Sequence, residues 1–514
     1  MIFKKNIKIF SALLLIFAVL FSAHAGLMLY AQEAQEDVPE SLEAEEADGD
    51  DIFVLGGIRP YGDIMSEAAL VFNVDSGITV YSKNADNRVY PASTAKIMTT
   101  LIVLEQLGDL GGLDEIVAFP AILNTEFNSG DPNKLGVALA GFLPGQDNLT
   151  VRDVLYGLML PSGCEAANIL AYNFGEGEGL GRIDSFIAMM NEKASQIGAV
   201  NTNFANAHGL FNPNQWTTAH DMLLITLYAY ENHSVFFSAL VSETEYQMPP
   251  NANNPAGYSV FNTNWLIQNT LGSPYFYEFA SGVKTGGLPY YYTNDGGGWV
   301  RTGAGMANLV SIAQRDNIEY IVVTMNAPWF TPQVEGQRWL HHAFNDHRTL
   351  YNWAFSTFDN TRVMETTDPI ASVTVIGGEA DTLTLVPLME NDFWTILPRD
   401  LDVNSAIHRE VTLNERQVQA PIEAGAILGT VELRIAGQTL ERFPLVAAQS
   451  VSQTPTSAVW TTIGGVFDQP WFTPLMIAVA VLVILLIILR FIRMQRRQRM
   501  VRSRRQPPNW KNRR

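Results

Sequence analysis

Cysteine is almost absent: Cys164 is the only one in 514 residues. An intrachain disulfide is therefore excluded, and the folded part must be held by its core. Basic residues are scarce between the two ends. The formal net charge is −19; setting aside the eleven Lys and Arg after Leu489 and the three lysines at positions 4, 5 and 8 leaves −33 for residues 31–489. So acidic a body argues against nucleic acid as a partner. Charge of either sign is missing from Pro470 to Leu489, 20 residues that suffice to cross a hydrocarbon core of about 30 Å as a helix. No acidic residue follows. The run that begins with Arg490, Arg493, Arg496 and Arg497 is the positive-inside signal of a membrane span, which places the tail in the cytoplasm and residues 26–469 outside.

The other end carries a second address. Lys4, Lys5 and Lys8 precede an apolar run, Ile9 to Phe21, and then Ala23-His24-Ala25. That is a charged region, an apolar region and a small-residue cleavage site, predicting a secretory signal over residues 1–25. Glu33 to Asp51 holds ten acidic residues and few apolar ones, so residues 26–54 read as a solvated linker.

Between these ends two textures alternate. Ala69 to Phe72 and Ile78 to Tyr81 are β-rich runs around Asp75-Ser76-Gly77, a hairpin signal. Thr150-x-x-Asp153 resembles a capping box ahead of Val151, Val154, Leu155, Leu158 and Met159, which recur at helical spacing. Pro161-Ser162-Gly163-Cys164 then forms a tight inter-helix loop, and another helix is predicted from Thr217 to Asp221 onward. The β-rich runs Leu309 to Ala313 and Tyr320 to Met325 flank Arg315-Asp316-Asn317. Strands at both ends with helices between them imply an α/β layout whose first and last strands share one sheet. From about Asp368 short alternating segments separated by glycines predict a small all-β domain, bounded at 366–448. A Ser/Thr-rich linker, 449–469, leads to the span at 470–490 and the basic tail 491–514.

The chemistry centres on Tyr90-Pro91-Ala92-Ser93-Thr94-Ala95-Lys96. Ser93 stands at the mouth of a predicted helix that ends at Gly108, and residues three apart share a helix face. An amine at Lys96 would therefore lie one turn from the Ser93 hydroxyl. A serine is a poor nucleophile until a base takes its proton, and a desolvated lysine can be that base. Downstream stand Ser162-Gly163-Cys164 and Lys284-Thr285-Gly286-Gly287.

Ser93-x-x-Lys96, Ser162-Gly163-Cys164 and Lys284-Thr285-Gly286, in this order in an exported chain, resemble the motifs of penicillin-binding proteins and serine β-lactamases. Leu143-Pro144-Gly145, Leu155 to Gly163, Asn206-Ala207-His208-Gly209-Leu210 and Gly282 to Gly286 look like the low-molecular-mass D-alanyl-D-alanine carboxypeptidases, a serine-type family, over about residues 64–330. The resemblance implies a transpeptidase-like α/β (α+β) catalytic domain over 55–360, with a central antiparallel sheet and a helical subdomain, then the small β domain. It also implies an enzyme without cofactor or metal that acts on peptidoglycan stem peptides ending in D-Ala-D-Ala and binds β-lactams. Ser93 would be the nucleophile, Lys96 its base and Ser162 a proton relay. Backbone N–H groups of Ser93 and Gly287 would form the oxyanion hole. Cys164, Lys284, Thr285, Gly286 and Gly287 would bind substrate, with Lys284 and Thr285 on its terminal carboxylate.

Two departures stand out. Cys164 replaces the family's usual asparagine and cannot offer an amide's donor and acceptor together; in an open cleft it would be reached by thiol reagents. Glu319 falls where some members carry a carboxylate-binding arginine, leaving Lys284, Thr285 or Arg301 to serve. Two alternatives follow: a β-lactamase-like hydrolase, or a catalytically weak wall-binding protein. The first needs a deacylating base, and no Glu-x-x-Leu-Asn lies between the second and third motifs. His208 and His220 lack the partners of a Ser-His-Asp triad and the spacing of metal ligands.

Overall fold

The computed structural model describes residues 51–503 except 109, 129–132, 134–136, 270–271, 289–291, 295–298, 302–304, 330–340, 458 and 460–468. The signal, nearly all of the acidic linker and the end of the basic tail lie outside the described residues, as does the side chain of Arg301.

The chain opens with β1 (Ile52–Val54), β2 (Ala68–Asn73) and β3 (Ile78–Lys83). Asn73 Oδ1 accepts from Ser76 N at 2.9 Å, and Gly77 takes φ +69°, so the predicted hairpin closes as its letters require. A 3-10 turn, Ala92–Ala95, leads into α1 (Lys96–Leu107), which Gly108 ends at φ +64°. There follow α2 (Val151–Met159), α3 (Cys164–Phe174), α4 (Gly181–Gln196), α5 (Ala219–Asn232) and α6 (Ser234–Ser242). The capping box forms: Thr150 Oγ1 accepts from Asp153 N, and Asp153 Oδ2 accepts from Thr150 N. A short ribbon, β4 (Glu245–Met248) with β5 (Tyr258–Phe261), precedes β6 (Ala280–Leu288). A second ribbon, β7 (Tyr292–Asn294) with β8 (Trp299–Arg301), leads to the hairpin of β9 (Met306–Arg315) and β10 (Ile318–Pro328).

First and last strands do share one sheet. Its order is β1-β3-β2-β10-β9-β6, antiparallel throughout. Both faces are covered, so alternate residues of one strand enter different cores. On β10, Ile321, Val323 and Met325 pack under the helices α1 to α6, while Tyr320 and Val322 pack on the other side. That other side is closed by α7 (His342–Thr357), a helix the sequence pattern did not announce. Trp353 on α7 donates from Nε1 to Ile58 O at 2.7 Å, and Asp346 accepts from Ser66 N (2.8 Å), Ser66 Oγ (2.6 Å) and Met65 N (3.2 Å).

The remaining strands are β11 (Phe358–Met364), β12 (Ala371–Ile376), β13 (Thr382–Pro387), β14 (Phe393–Pro398), β15 (His408–Leu413), β16 (Gln417–Gln419), β17 (Ile427–Ile435) and β18 (Gln438–Ala447). They make a six-stranded sheet, β15-β17-β18-β13-β12-β16, and a ribbon of β11 with β14. β11 follows α7 directly, ahead of the change of texture in the sequence. Buried Leu383, Leu385, Val431 and Leu445 join one apolar cluster with Tyr351, Trp353 and Val71 of the first part. Gln438 adds a two-way clamp, accepting from Thr79 N at 3.0 Å and donating to Thr79 O at 2.9 Å.

The stretch after Ser450 docks on this β part through the bridges Ile422 to Val451 and Gly378 to Gln453. Last comes α8 (Phe472–Ser503), long and apolar enough over Phe472–Arg496 to cross a membrane, with none of that apolar stretch buried against the other described residues. The helix continues past Leu489 into the basic residues.

Candidate active site

Ser93 lies in the 3-10 turn rather than at a helix cap, and α1 begins at Lys96. The turn is backbone-strained: Ala92 sits at φ +48°, a region that costs a β-carbon about 1–2 kcal/mol. Two neighbours hold it. Gly209, at φ +85°, packs so tightly that a β-carbon there would stand 1.8 Å from Ala92 O. On the other side Asn308 Nδ2 donates to Tyr90 O (2.9 Å) and Pro91 O (2.8 Å). Gly286 leaves room for β6 to approach, since a β-carbon would stand 3.1 Å from both Pro91 O and Thr94 N.

Lys96 is fully buried. Its Nζ lies 2.9 Å from Ser93 Oγ, 3.7 Å from Cys164 Sγ and 2.5 Å from His208 O. Burial pulls its pKa below the ordinary lysine value, with Cys164 and Glu165 opposing. Lys284, also buried, lies well below the usual range, because of desolvation first and the like charge of Lys96 second. A neutral Lys96 amine can donate to the His208 carbonyl and keep its lone pair for the Ser93 proton.

The sequence-predicted residues converge, with distinctions. Ser93, Ser162, Thr285, Gly286 and Gly287 line one cleft of about 380 Å³, with Thr263, Trp265, Trp329 and Phe344 as further walls. Ser162 takes φ +66°, and its hydroxyl is buried with no hydrogen-bond partner among the described residues. Lys284 Nζ donates to Thr285 O at 3.0 Å, and Thr285 Oγ1 lies 2.6 Å from Thr263 Oγ1.

Cys164 departs from expectation. It is 1% exposed and does not line the cleft, so the open-cleft thiol is corrected: the group lies behind Lys96, and burial raises its pKa. Glu319 is corrected too. It sits where β10 leaves its turn, hydrogen-bonded to Tyr230 OH at 3.0 Å and outside the cleft lining. His208 contributes its carbonyl, while its ring packs inward with Nδ1 accepting from Leu210 N. His220 is exposed beside Asp86.

Asn308, Thr263 and Glu165 escaped sequence reading. Glu165 Oε1 accepts from Ala140 N (2.6 Å) and Gly141 N (2.9 Å), pinning that segment to the start of α3, next to Cys164. Only the side-chain placement reveals them; no motif marks an isolated Asn or Thr.

This geometry defines a serine hydrolase of the Ser-x-x-Lys type. Residues 58–329 match the D-alanyl-D-alanine carboxypeptidase family, and residues 358–453 match the penicillin-binding protein 5 C-terminal domain. The chain belongs to the D-alanyl-D-alanine carboxypeptidase family, the low-molecular-mass penicillin-binding proteins. It is 34% identical over 227 residues to a D-alanyl-D-alanine carboxypeptidase of Streptomyces sp. (strain K15), covering 44% of this chain and 73% of that one. It is 25% identical over 390 residues to the D-alanyl-D-alanine carboxypeptidase DacF of Bacillus subtilis, covering 76% and 86%. Its fold is similar to that of penicillin binding protein 5 from Haemophilus influenzae, with a TM-score of 0.53 at 23% identity over 77% of this chain and 100% of that one.

Proposed function

We propose that this protein is a membrane-anchored carboxypeptidase that removes the terminal D-alanine from peptidoglycan stem peptides through an acyl-enzyme on Ser93. The observation that carries the reading is the buried Lys96 amine 2.9 Å from the Ser93 hydroxyl, with its pKa lowered. Ser93 Oγ attacks the carbonyl of the D-Ala-D-Ala bond while Lys96 takes its proton. The C–N bond breaks, the departing amine of D-alanine receives a proton by way of Lys96 and Ser162, and the shortened peptide stays as an ester on Ser93. Water then hydrolyses the ester. N–H groups of Ser93 and Gly287 stabilise the developing oxyanion, each such donor contributing about 2.7–4 kcal/mol. Thr285 holds the terminal carboxylate, backed by the buried Lys284, and Cys164 acts from behind Lys96. A β-lactam opened by the same attack is trapped as a stable ester.

The span at 470–490 would anchor the chain once, with the catalytic and β parts outside the membrane and the basic tail in the cytoplasm. The test is D-alanine release from a D-Ala-D-Ala-ended peptide, beside labelling by a fluorescent penicillin. Both should vanish in Ser93→Ala; labelling that persists in that variant would sink the proposal.

A further inference from the structure

Asn308 lies on β9 directly opposite Gly286 of β6, in the register that carries Lys284 and Thr285 past the nucleophile. It is 2% exposed, and every described polar contact of its side chain bears on one task. Nδ2 donates to Tyr90 O at 2.9 Å and to Pro91 O at 2.8 Å. Oδ1 accepts from Asn326 N at 2.7 Å, where β10 is interrupted by a register shift between Thr324 and Ala327 and Asn326 takes φ +54°. Pro91 O also accepts from Thr94 Oγ1 at 2.6 Å. These bonds grip the chain immediately before Ala92, whose positive φ sets the plane of the Ala92–Ser93 peptide and thereby the aim of the Ser93 N–H.

We propose that Asn308 is a positioning residue for Ser93: its buried amide locks the strained turn to the sheet and fixes the hydroxyl and N–H of Ser93 at working distance from β6. The inference rests on the acyl-enzyme reading above. Without the amide, Ala92 can relax toward ordinary φ values, and the Ser93 N–H swings away from the point where the oxyanion forms. A shift of about 1 Å in such a group is worth about 10²-fold in rate. Substrate contacts on β6 are untouched, so the loss falls on kcat.

The experiment compares the full-length protein in detergent as wild type, Asn308→Ala, Asn308→Asp and Ser311→Ala, reading kcat and KM for D-alanine release and the rate of penicillin acylation. Asn308→Asp keeps volume and the acceptor for Asn326 N but faces the two carbonyls with oxygen. Ser311 is equally buried on the same strand and bonded to His347 and Tyr351, away from the cleft. It controls for lost stability. Both Asn308 variants should lose about 10–100-fold in kcat and acylation rate with KM within about 3-fold, and Ser311→Ala should keep kcat within about 2-fold of wild type.

A folded Asn308 variant with wild-type kcat, a change carried by KM, or an equal loss in Ser311→Ala would overturn the assignment. So would failure of both Asn308 variants to fold, which would make Asn308 a folding determinant. A wild type that neither releases D-alanine nor takes penicillin refutes the underlying reading, whereas active wild type with equally active Asn308 variants refutes this inference alone.

Discussion

At the residue scale the site turns on protonation. Under the proposed mechanism the base form of Lys96 is needed for attack, so acylation by penicillin should rise with pH through the Lys96 pKa. Because burial lowers that pKa from 10.5, the midpoint of the rise should fall below pH 10.5. A midpoint at the ordinary lysine value, read from acylation rate against pH, would remove Lys96 from the role. Cys164 yields a second expectation. Buried and with a raised pKa, it should react with a thiol reagent only as fast as the protein opens, with or without bound penicillin. Rapid labelling of the native protein would contradict that burial. The juxtaposition of Ser93 with Lys96 and the Lys-Thr-Gly strand beside them were legible in sequence because each is a side chain at a fixed spacing. The His208 carbonyl was not, since a backbone group leaves no letter, and Cys164 was misplaced because spacing says nothing about which wall of a cleft a residue stands behind.

At the element scale, helices with caps and alternating strands were readable, and α7 was not. His341, its N-terminal neighbour, makes no side-chain cap, and the helix is built mostly from His, Asn, Thr, Tyr, Trp and Phe, which are poor or middling helix formers. Tertiary contacts sustain it. Asp346→Ala would leave two N–H groups and a hydroxyl near Ser66 without their acceptor, costing about 3 kcal/mol or more in urea unfolding; a loss under about 1 kcal/mol would show the α7 contact to be dispensable. His347 links α7 to both strands of the hairpin, with Nε2 3.1 Å from Leu309 O and 2.9 Å from Thr324 Oγ1, and Nδ1 2.7 Å from Ser311 Oγ. Burial lowers its pKa to about 3 from 6.5. Between those values the unfolded chain binds a proton that the folded chain refuses. This contribution to stability is therefore full above pH 6.5 and lost progressively as pH falls through the window, about 2 kcal/mol by pH 5. His347→Gln should flatten that slope of unfolding energy against pH; an unchanged slope would assign the acid sensitivity elsewhere.

At the scale of the whole molecule, composition foretold an apolar C-terminal helix and two textures, but not how the textures join. The apolar cluster shared by α7 and the β sheet, and the Gln438 clamp on Thr79, couple them through residues far apart in the chain. A chain truncated after Ser457 should leave the membrane fraction, stay soluble and retain penicillin labelling; loss of labelling would mean that the terminal segment supports the site. The docking of the stretch after Ser450 carries one more implication. With Ser457 Oγ bonded to Gly377 O of the β part and Phe472 at the bilayer, as proposed, the intervening chain spans at most about 50 Å even when fully drawn out. That is a short leash. Under the proposed anchoring it would hold the docked end of the β part within that distance of the lipid surface.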